Sequence, residues 1–334
     1  MQEGGGMRQE LSSTRPIRPT RASVQLLRVA DSRRISPTFQ RLSFAPHEES
    51  FNEEFDFLGF DQWFRFFFWP PLQERMERRA QTVGPVAGKR GSVRADSPAI
   101  PAYSANARAG RGSTAYGPRR PGLPPLPWGA ADGWYQRYRA LPAKNRPTVR
   151  NYTIRDARRI SGTWYIDVDF AIHRAPDGQI EGRAARWARR AQRGELVGFL
   201  DQGRIFRFDG AKGPLLLVSD ETGLPGIEGI ARSLHAGGHV PETTAIIEVP
   251  TSEDRRDIWL DDVLWTTRPR GQEVGQSLLA LLDHMPLSGF EGAYIVGEAS
   301  FALAVRNRCL DAGMPRENID FCGYWRKAQS ADFE

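Results

Sequence analysis

The chain has 334 residues, of which 40% are hydrophobic and 26% charged, a balance that fits a folded protein with room for two domains. No apolar run approaches the roughly 20 residues a membrane helix needs, and the basic start, Met1 to Arg21, lacks the apolar centre of a secretory signal, so a cytoplasmic monomer is expected. The net charge of +6 is concentrated: Gln73 to Ala131 holds ten Lys or Arg against three Asp or Glu, leaving the remainder near neutral.

Residues 1–22 read as a disordered tail. A β texture begins at Ser23, with Val24 to Val29 alternating imperfectly and Thr38 to Phe44 more clearly. Gln62 to Trp69 reads as an aromatic strand stopped by Pro70-Pro71. The basic stretch 73–131, rich in Pro, Gly, Ser and Ala, reads as a long loop. Nucleic acid is not an expected partner: no binding module flanks this stretch, and 42 of the 46 basic residues are Arg, a bias of the whole chain. A short helix is predicted over Trp134 to Leu141. Strands follow at Val149–Ile154 and Thr163–Ile172, then a helical turn at Ala184–Ala191 and a strand at Leu196–Phe199. Successive short strands with one late helix predict an antiparallel β-barrel.

From Pro214 the rhythm changes. Leu215–Val218, Thr244–Val249, Asp262–Trp265, Tyr294–Val296 and Ile319–Cys322 read as strands. Leu224, Ile227, Ala231 and Leu234 fall at helical spacing, as do Val274, Leu278, Leu281 and Leu282, and Phe301, Val305 and Cys309. This alternation predicts a parallel sheet with helices on both faces, and such sheets bind ligands at the C-terminal ends of their strands. Two runs sit at such ends, Ser219-Asp220-Glu221-Thr222 and Gly297-Glu298-Ala299-Ser300. The second opens a helix, whose first amides and dipole are expected to favour an anionic group such as a pyrophosphate.

Cys309 and Cys322 are the only cysteines, too few for a four-thiolate site, and Gly237-Gly238 breaks the helix that would join His235 to His239, so no metal site is expected. On β-strand spacing Arg150 and Tyr152 share one face and Thr153 takes the other. A phenol beside a guanidinium can stack on a flat ring and pair with a phosphate. An ordinary half-buried tyrosine with solvated arginines gives the same pattern.

The order of motifs narrows this. Arg150-x-Tyr152-Thr153, Asp167 to His173, Gly182 to Ala188, Asp220 to Pro225, Gly297 to Ser300 and Gly323-Tyr324-Trp325-Arg326 together resemble the siderophore-interacting proteins. These are FAD-dependent ferric-siderophore reductases of the ferredoxin-reductase-like superfamily. The resemblance implies an N-terminal β-barrel flavin domain (23–212, with the basic insertion 73–131) followed by a parallel-sheet α/β nucleotide-binding domain (213–334). It implies FAD, with NADPH or NADH as donor and a ferric siderophore as substrate. Tyr152 would pack on the isoalloxazine, Thr153 would hydrogen-bond it and Arg150 would hold the FAD phosphates. His173 would lie along the adenine-diphosphate half, with Ala184 and Ala185 at the pyrophosphate and Trp187 beside them. Asp220, Glu221 and Thr222 would sit at the nicotinamide entry, Glu298, Ala299 and Ser300 beneath the dinucleotide, and Trp325 near the flavin ring. Arg326 and Lys327 would meet the anionic chelate.

The chain departs from the family in two places. Its pyrophosphate loop reads Gly182-Arg183-Ala184-Ala185 where the family has Gly-Pro-Ala-Ser, which removes one hydroxyl donor that Arg183 or Arg186 would have to replace. The basic insertion is the other. No side-chain acid or base is obligatory for flavin chemistry, and no catalytic residue is assigned. A general NAD(P)H:flavin oxidoreductase and a non-catalytic binding protein are the rival readings.

Overall fold

The computed structural model describes residues 17–69, 120, 123–175, 177–208 and 210–326. Seven strands make the first sheet: β1 (Gln25–Arg34), β2 (Phe39–Pro46), β3 (Trp63–Phe68), β4 (Thr148–Thr153), β5 (Asp156–Ile160), β6 (Thr163–Ala171) and β7 (Leu196–Gly203). They pair antiparallel in the order β4-β3-β7-β1-β2-β6-β5. The two edge strands, β4 and β5, are consecutive in the chain, and the Arg155 N–H donates to the Asp167 carbonyl of β6 at 2.9 Å. That bond continues the β5–β6 ladder into the short linker between the two edges, which keeps the ends of the sheet close as in a barrel.

The aromatic pattern explains the barrel's interior. Phe44, Phe64, Phe66, Phe68, Phe170 and Phe199 are fully buried, and Phe64 stacks on Phe199 with ring centres 4.6 Å apart. Each contributes roughly 1.5–3 kcal/mol through burial. β5 was not predicted. Its sequence, Asp-Ala-Arg-Arg-Ile, is polar and exposed towards its end, so it lacks the apolar alternation that marks a strand; it is held by pairing along β6.

Two segments are more ordered than the sequence predicts. Ile17, placed in the disordered tail, exchanges both backbone hydrogen bonds with Arg204, at 2.8 and 2.9 Å. Leu126 and Trp128, placed in the basic loop, are buried against Val24, Leu26, Phe67 and Leu200. These are the apolar residues at the insertion's end, and Gly198 makes room for them: a Cβ there would stand 2.7 Å from a Leu126 methyl. The rest of the insertion, 73–119 with 121 and 122, lies outside the described residues.

The second sheet is parallel, as predicted. β8 (Leu215–Ser219), β9 (Thr243–Val249), β10 (Asp262–Thr267), β11 (Gly292–Glu298) and β12 (Ile319–Trp325) stand in the order β10-β9-β8-β11-β12. Helix Leu224–Ala236 covers one face through Leu224, Ile227, Ile230 and Leu234. Helices Gln276–Leu282 and Ala299–Asp311 cover the other through Leu278, Leu282, Phe301 and Val305. The chain steps outward from β8 to β10 and returns on the other side at β11, so the topological switch point falls between β8 and β11.

The barrel and the parallel sheet meet along a polar seam. Asp169 of β6 binds Arg41 at 2.6 and 2.8 Å and Arg256 at 2.6 Å, and the same Arg256 nitrogen reaches Glu228 of helix Leu224–Ala236 at 2.7 Å. Asp254 accepts from Ser36 and Thr38 of the barrel at 2.5–3.0 Å. Helix Leu224–Ala236 approaches so closely that a Cβ on Gly229 would lie 2.0 Å from the Phe60 carbonyl oxygen. Only glycine permits that contact.

Candidate functional site

The ends of β8, β11 and β12 are tied to one carboxylate. Asp220 is fully buried and accepts from the Thr222 N–H and hydroxyl at 2.8 and 2.5 Å, the Glu298 N–H at 2.7 Å and the Trp325 indole N–H at 3.1 Å. Burial pushes its carboxyl up to about 6, with Glu221 adding in the same direction and the hydrogen bonds opposing. Gly297, at φ +142°, carries no Cβ to meet this carboxylate; one would stand 2.8 Å away. Asp220 is thus a positioning group that sets the Trp325 ring and the start of helix Ala299–Asp311.

Glu221 is equally buried. Its Oε1 binds Arg268, at the end of β10, at 2.6 Å, and lies 3.5 Å from His173 Nδ1, while its Oε2 has no hydrogen-bond partner. The His173 ring centre is 5.8 Å from that of Trp325. Residues predicted from three separate motifs, His173, Glu221 and Trp325, therefore converge. Arg268 was not predicted; its position at a strand end of the parallel sheet was the available signal. Its other nitrogen reaches Glu248, also fully buried, at 3.3 Å.

The two expected anion sites differ. At the head of helix Ala299–Asp311 the Glu298 carboxylate itself accepts from the Ser300 and Phe301 N–H groups, at 2.7 and 3.0 Å. Those amides are not free for a pyrophosphate, which corrects the sequence reading: an acidic residue one position before the helix caps it. Ala299 is buried there and Ser300 is exposed. At the head of helix Arg183–Ala188 no side chain caps the first turn, and Gly182, at φ +78°, has nothing within 4 Å of where a Cβ would stand. The Glu181 N–H donates to the His173 carbonyl at 3.0 Å, placing this open turn beside His173.

On the barrel, Tyr152 is half-buried, its ring 4.3 Å from Phe170 and 5.7 Å from Phe66. The face that Arg150 and Tyr152 share is therefore partly inside the core. Arg150 is half-buried, with one hydrogen bond to the Val149 carbonyl at 2.8 Å. Thr153 is buried on the opposite face. Ala184, Ala185 and Trp187 belong to the barrel core, and the Trp187 indole N–H donates to Glu195 at 2.7 Å. Trp187 packs 5.0 Å from Phe66, which gives it a structural place rather than an open ring. Arg326 is half-buried at the end of β12, and Lys327 lies outside the described residues.

Among the described residues no cluster of three or more His, Cys, Asp or Glu is arranged to hold a metal, and no helix is long and apolar enough to cross a membrane. Burial pushes the thiols of Cys309 and Cys322 up to about 11 and 12, so neither is a ready thiolate.

Comparison with known proteins agrees with this architecture. The chain is 29% identical over 212 residues to an uncharacterised protein of Mycobacterium tuberculosis, covering 58% of this chain and 70% of the relative. A siderophore utilization protein from T. fusca has the same fold, with a TM-score of 0.59 at 19% identity over 95% of each chain. So has the siderophore-interacting protein SipS of Aeromonas hydrophila, with 0.58 at 19% identity over 91% of this chain and 92% of that one. A ferredoxin reductase in carbazole 1,9a-dioxygenase matches with 0.52 at 14% identity over 91% and 70%. Residues 118–204 match the siderophore-interacting FAD-binding domain and residues 213–328 match the siderophore-interacting protein profile, so that the barrel's second half and nearly all of the parallel sheet carry the family's sequence, and the chain belongs to the siderophore-interacting protein family.

Proposed function

We propose that the protein reduces a ferric siderophore and releases Fe(II), using FAD held at the seam and NADPH or NADH as electron donor. In this reading residues 23–212 hold the flavin and residues 213–334 the nicotinamide nucleotide. The observation that carries it is the convergence of His173, Glu221 and Trp325 at the ends of β8 and β12, with the open Gly182 turn beside His173.

The residues suit FAD. Arg150 retains N–H donors beyond its bond to Val149, Tyr152 offers a half-buried ring beside it, and the turn at Gly182, without a side-chain cap, offers the Ala184 and Ala185 amides to a diphosphate. Tyr152, Thr153 and Arg150 would hold the isoalloxazine and phosphates, and Ala184 and Ala185 would present backbone amides. When bound, FAD takes the two electrons of a hydride together and passes them on singly. The chain's own part is to bind, orient and exclude water. Asp220 fixes Trp325 through the indole N–H, and Arg268 balances the buried Glu221 and Glu248 at the donor's entry.

The nicotinamide nucleotide fits at the ends of β8 and β11, with Asp220, Glu221 and Thr222 on one side and Glu298, Ala299 and Ser300 on the other. Because Glu298 caps its own helix, the dinucleotide is held there by shape and side-chain contacts rather than by helix amides. Arg326 and Lys327 follow directly on β12 and would meet the anionic chelate.

The test is direct. Purified protein is expected to carry FAD, to bleach anaerobically with NADPH or NADH, and to regain its colour on addition of a ferric siderophore. Bleaching without reoxidation by any ferric chelate would point to a general NAD(P)H:flavin oxidoreductase. Purified protein that takes up no flavin would leave a non-catalytic binding protein.

A further inference from the structure

The turn that follows β9 is held from two sides. Asp254 accepts from the Thr251 hydroxyl and N–H within the turn, at 2.9 and 3.2 Å, and from Ser36 and Thr38 of the barrel at 2.5–3.0 Å. Arg256 reaches inward to Asp169 and Glu228. Arg255, between these two anchors, is exposed, and its Nη2 donates to the Thr267 hydroxyl at the end of β10, at 3.2 Å. A fixed turn thus presents a guanidinium at the C-terminal ends of the parallel strands, the edge where such sheets bind ligands.

That guanidinium has no carboxylate partner. Its neighbour Arg268 is spent on the buried Glu221 and Glu248, at 2.6 and 3.3 Å. Arg255 instead meets a neutral hydroxyl, and the exposed acids of its own turn, Glu253 and Asp257, make no ion pair with it. Thr267 accepts from Arg255 and so keeps its own proton to give, which leaves a hydroxyl and a guanidinium side by side with donors for one anion. Arg270, exposed just beyond β10, adds positive charge nearby in the chain. Glu221 and Glu248 are fully buried and tied to Arg268, so they set no bare carboxylate against an incoming anion. A planar guanidinium beside a hydroxyl suits the tetrahedral oxygens of a phosphate monoester.

We propose that Arg255 and Thr267 bind the 2′-phosphate of NADPH, so that the protein takes NADPH in preference to NADH. The inference rests on the proposed function and deepens it by choosing between the two donors. In that function the nicotinamide meets the flavin on the side of His173 and Trp325, and Trp325 ends β12 at one edge of the sheet. The adenosine half then lies across the opposite flank, over the ends of β9 and β10. β10 stands two strands from β8, roughly 10 Å at the usual spacing, within the reach of an extended dinucleotide. The 2′-phosphate on that adenosine is the one group that separates the two donors, and it is a phosphate monoester. NADH brings no such anion and leaves Arg255 to Thr267 and water.

Two measurements on the full chain test this. In the first, calorimetric titration compares adenosine 2′,5′-bisphosphate with adenosine 5′-phosphate, neither of which can reduce a flavin. Wild type is expected to bind the bisphosphate roughly ten- to a hundredfold more tightly, the range for charge-assisted hydrogen bonds to one phosphate, and Arg255→Ala to lose most of that advantage. Arg255→Lys should keep part of it, and Thr267→Val should lose a smaller part. In the second, the FAD-loaded protein is bleached anaerobically over a range of NADPH and NADH concentrations. The apparent affinity for NADPH relative to NADH should favour NADPH in wild type and fall by a similar factor in Arg255→Ala. Arg255 is exposed, so its variants are expected to fold, and Thr267→Val reads the same site from the other partner. Equal binding of the two adenosine phosphates by wild type, or an unchanged preference in both Arg255→Ala and Thr267→Val, overturns the phosphate site alone. Flavin that neither nicotinamide bleaches overturns the proposed function and this inference together.

Discussion

Tyr152 holds two relations at once: in the proposed function it would line the flavin side of β4, and its ring closes the barrel core against Phe170 and Phe66. Tyr152→Ala should therefore lower the FAD content of purified protein and cost about 2–4 kcal/mol of stability, somewhat less than the roughly 3–5 kcal/mol for a fully buried aromatic because Tyr152 is half-buried. Tyr152→Phe keeps the ring and should keep both. Flavin absorbance per protein and a urea titration separate the two effects; full FAD occupancy in Tyr152→Ala would end the stacking role. This residue was legible because the period of two sets Arg150 and Tyr152 on one face whatever the surrounding fold. Arg268 was not, since it meets Glu221 and Glu248 only once β8, β9 and β10 lie side by side.

At the scale of elements, the head of helix Ala299–Asp311 shows how a plausible anion site can be spent on the helix itself. Glu298 occupies the Ser300 and Phe301 amides. Glu298→Ala should cost about 0.5–2 kcal/mol, the usual loss for a missing N-cap, and Glu298→Asp should recover most of it. A shift of the urea midpoint at constant slope is the expected readout, and an unchanged midpoint would show the cap to be idle. Strands with alternating or aromatic faces, such as β2 and β3, were readable from sequence, as were helices with a clear apolar stripe. β5 was not, because it owes its place to β6 and to the tight turn in which Ser161 and Gly162 take φ of +47° and +81°. The switch point was readable only in part: alternation predicts a parallel sheet, yet the order that sets β8 beside β11 is a tertiary fact.

At the scale of the molecule, buried carboxylates decide both the coupling of the two sheets and the response to acid. Arg256 bridges Asp169 and Glu228 across the seam, so Arg256→Ala leaves two buried charges short of a partner. A loss of roughly 3–5 kcal/mol is expected, read as a lower urea midpoint or as two separate calorimetric transitions. The pH profile follows from two opposed groups of acids. Burial raises Asp61, Asp201 and Asp220 from 3.8 to about 6, against the hydrogen bonds each accepts. Over pH 4 to 6 the folded chain therefore holds more protons at these sites than the unfolded chain, and acidification through that window favours folding, by about 1.4 kcal/mol per pKa unit and site at most. Asp169 and Asp254 act the other way: burial would raise them, but the Arg41 and Arg256 contacts of the first, and the Ser36 and Thr38 hydrogen bonds of the second, hold them below 3.8. Their stabilisation is complete above 3.8 and is lost as pH falls through their folded values. Stability should thus peak between about pH 4 and 5, decline towards pH 7, and collapse below pH 3.5. Urea midpoints collected from pH 3 to 8 with FAD in constant excess measure this, and Asp61→Asn should flatten the decline between pH 5 and 7. A midpoint that climbs steadily from pH 4 to 8 would mean that the buried aspartates are ionised at little cost in the fold.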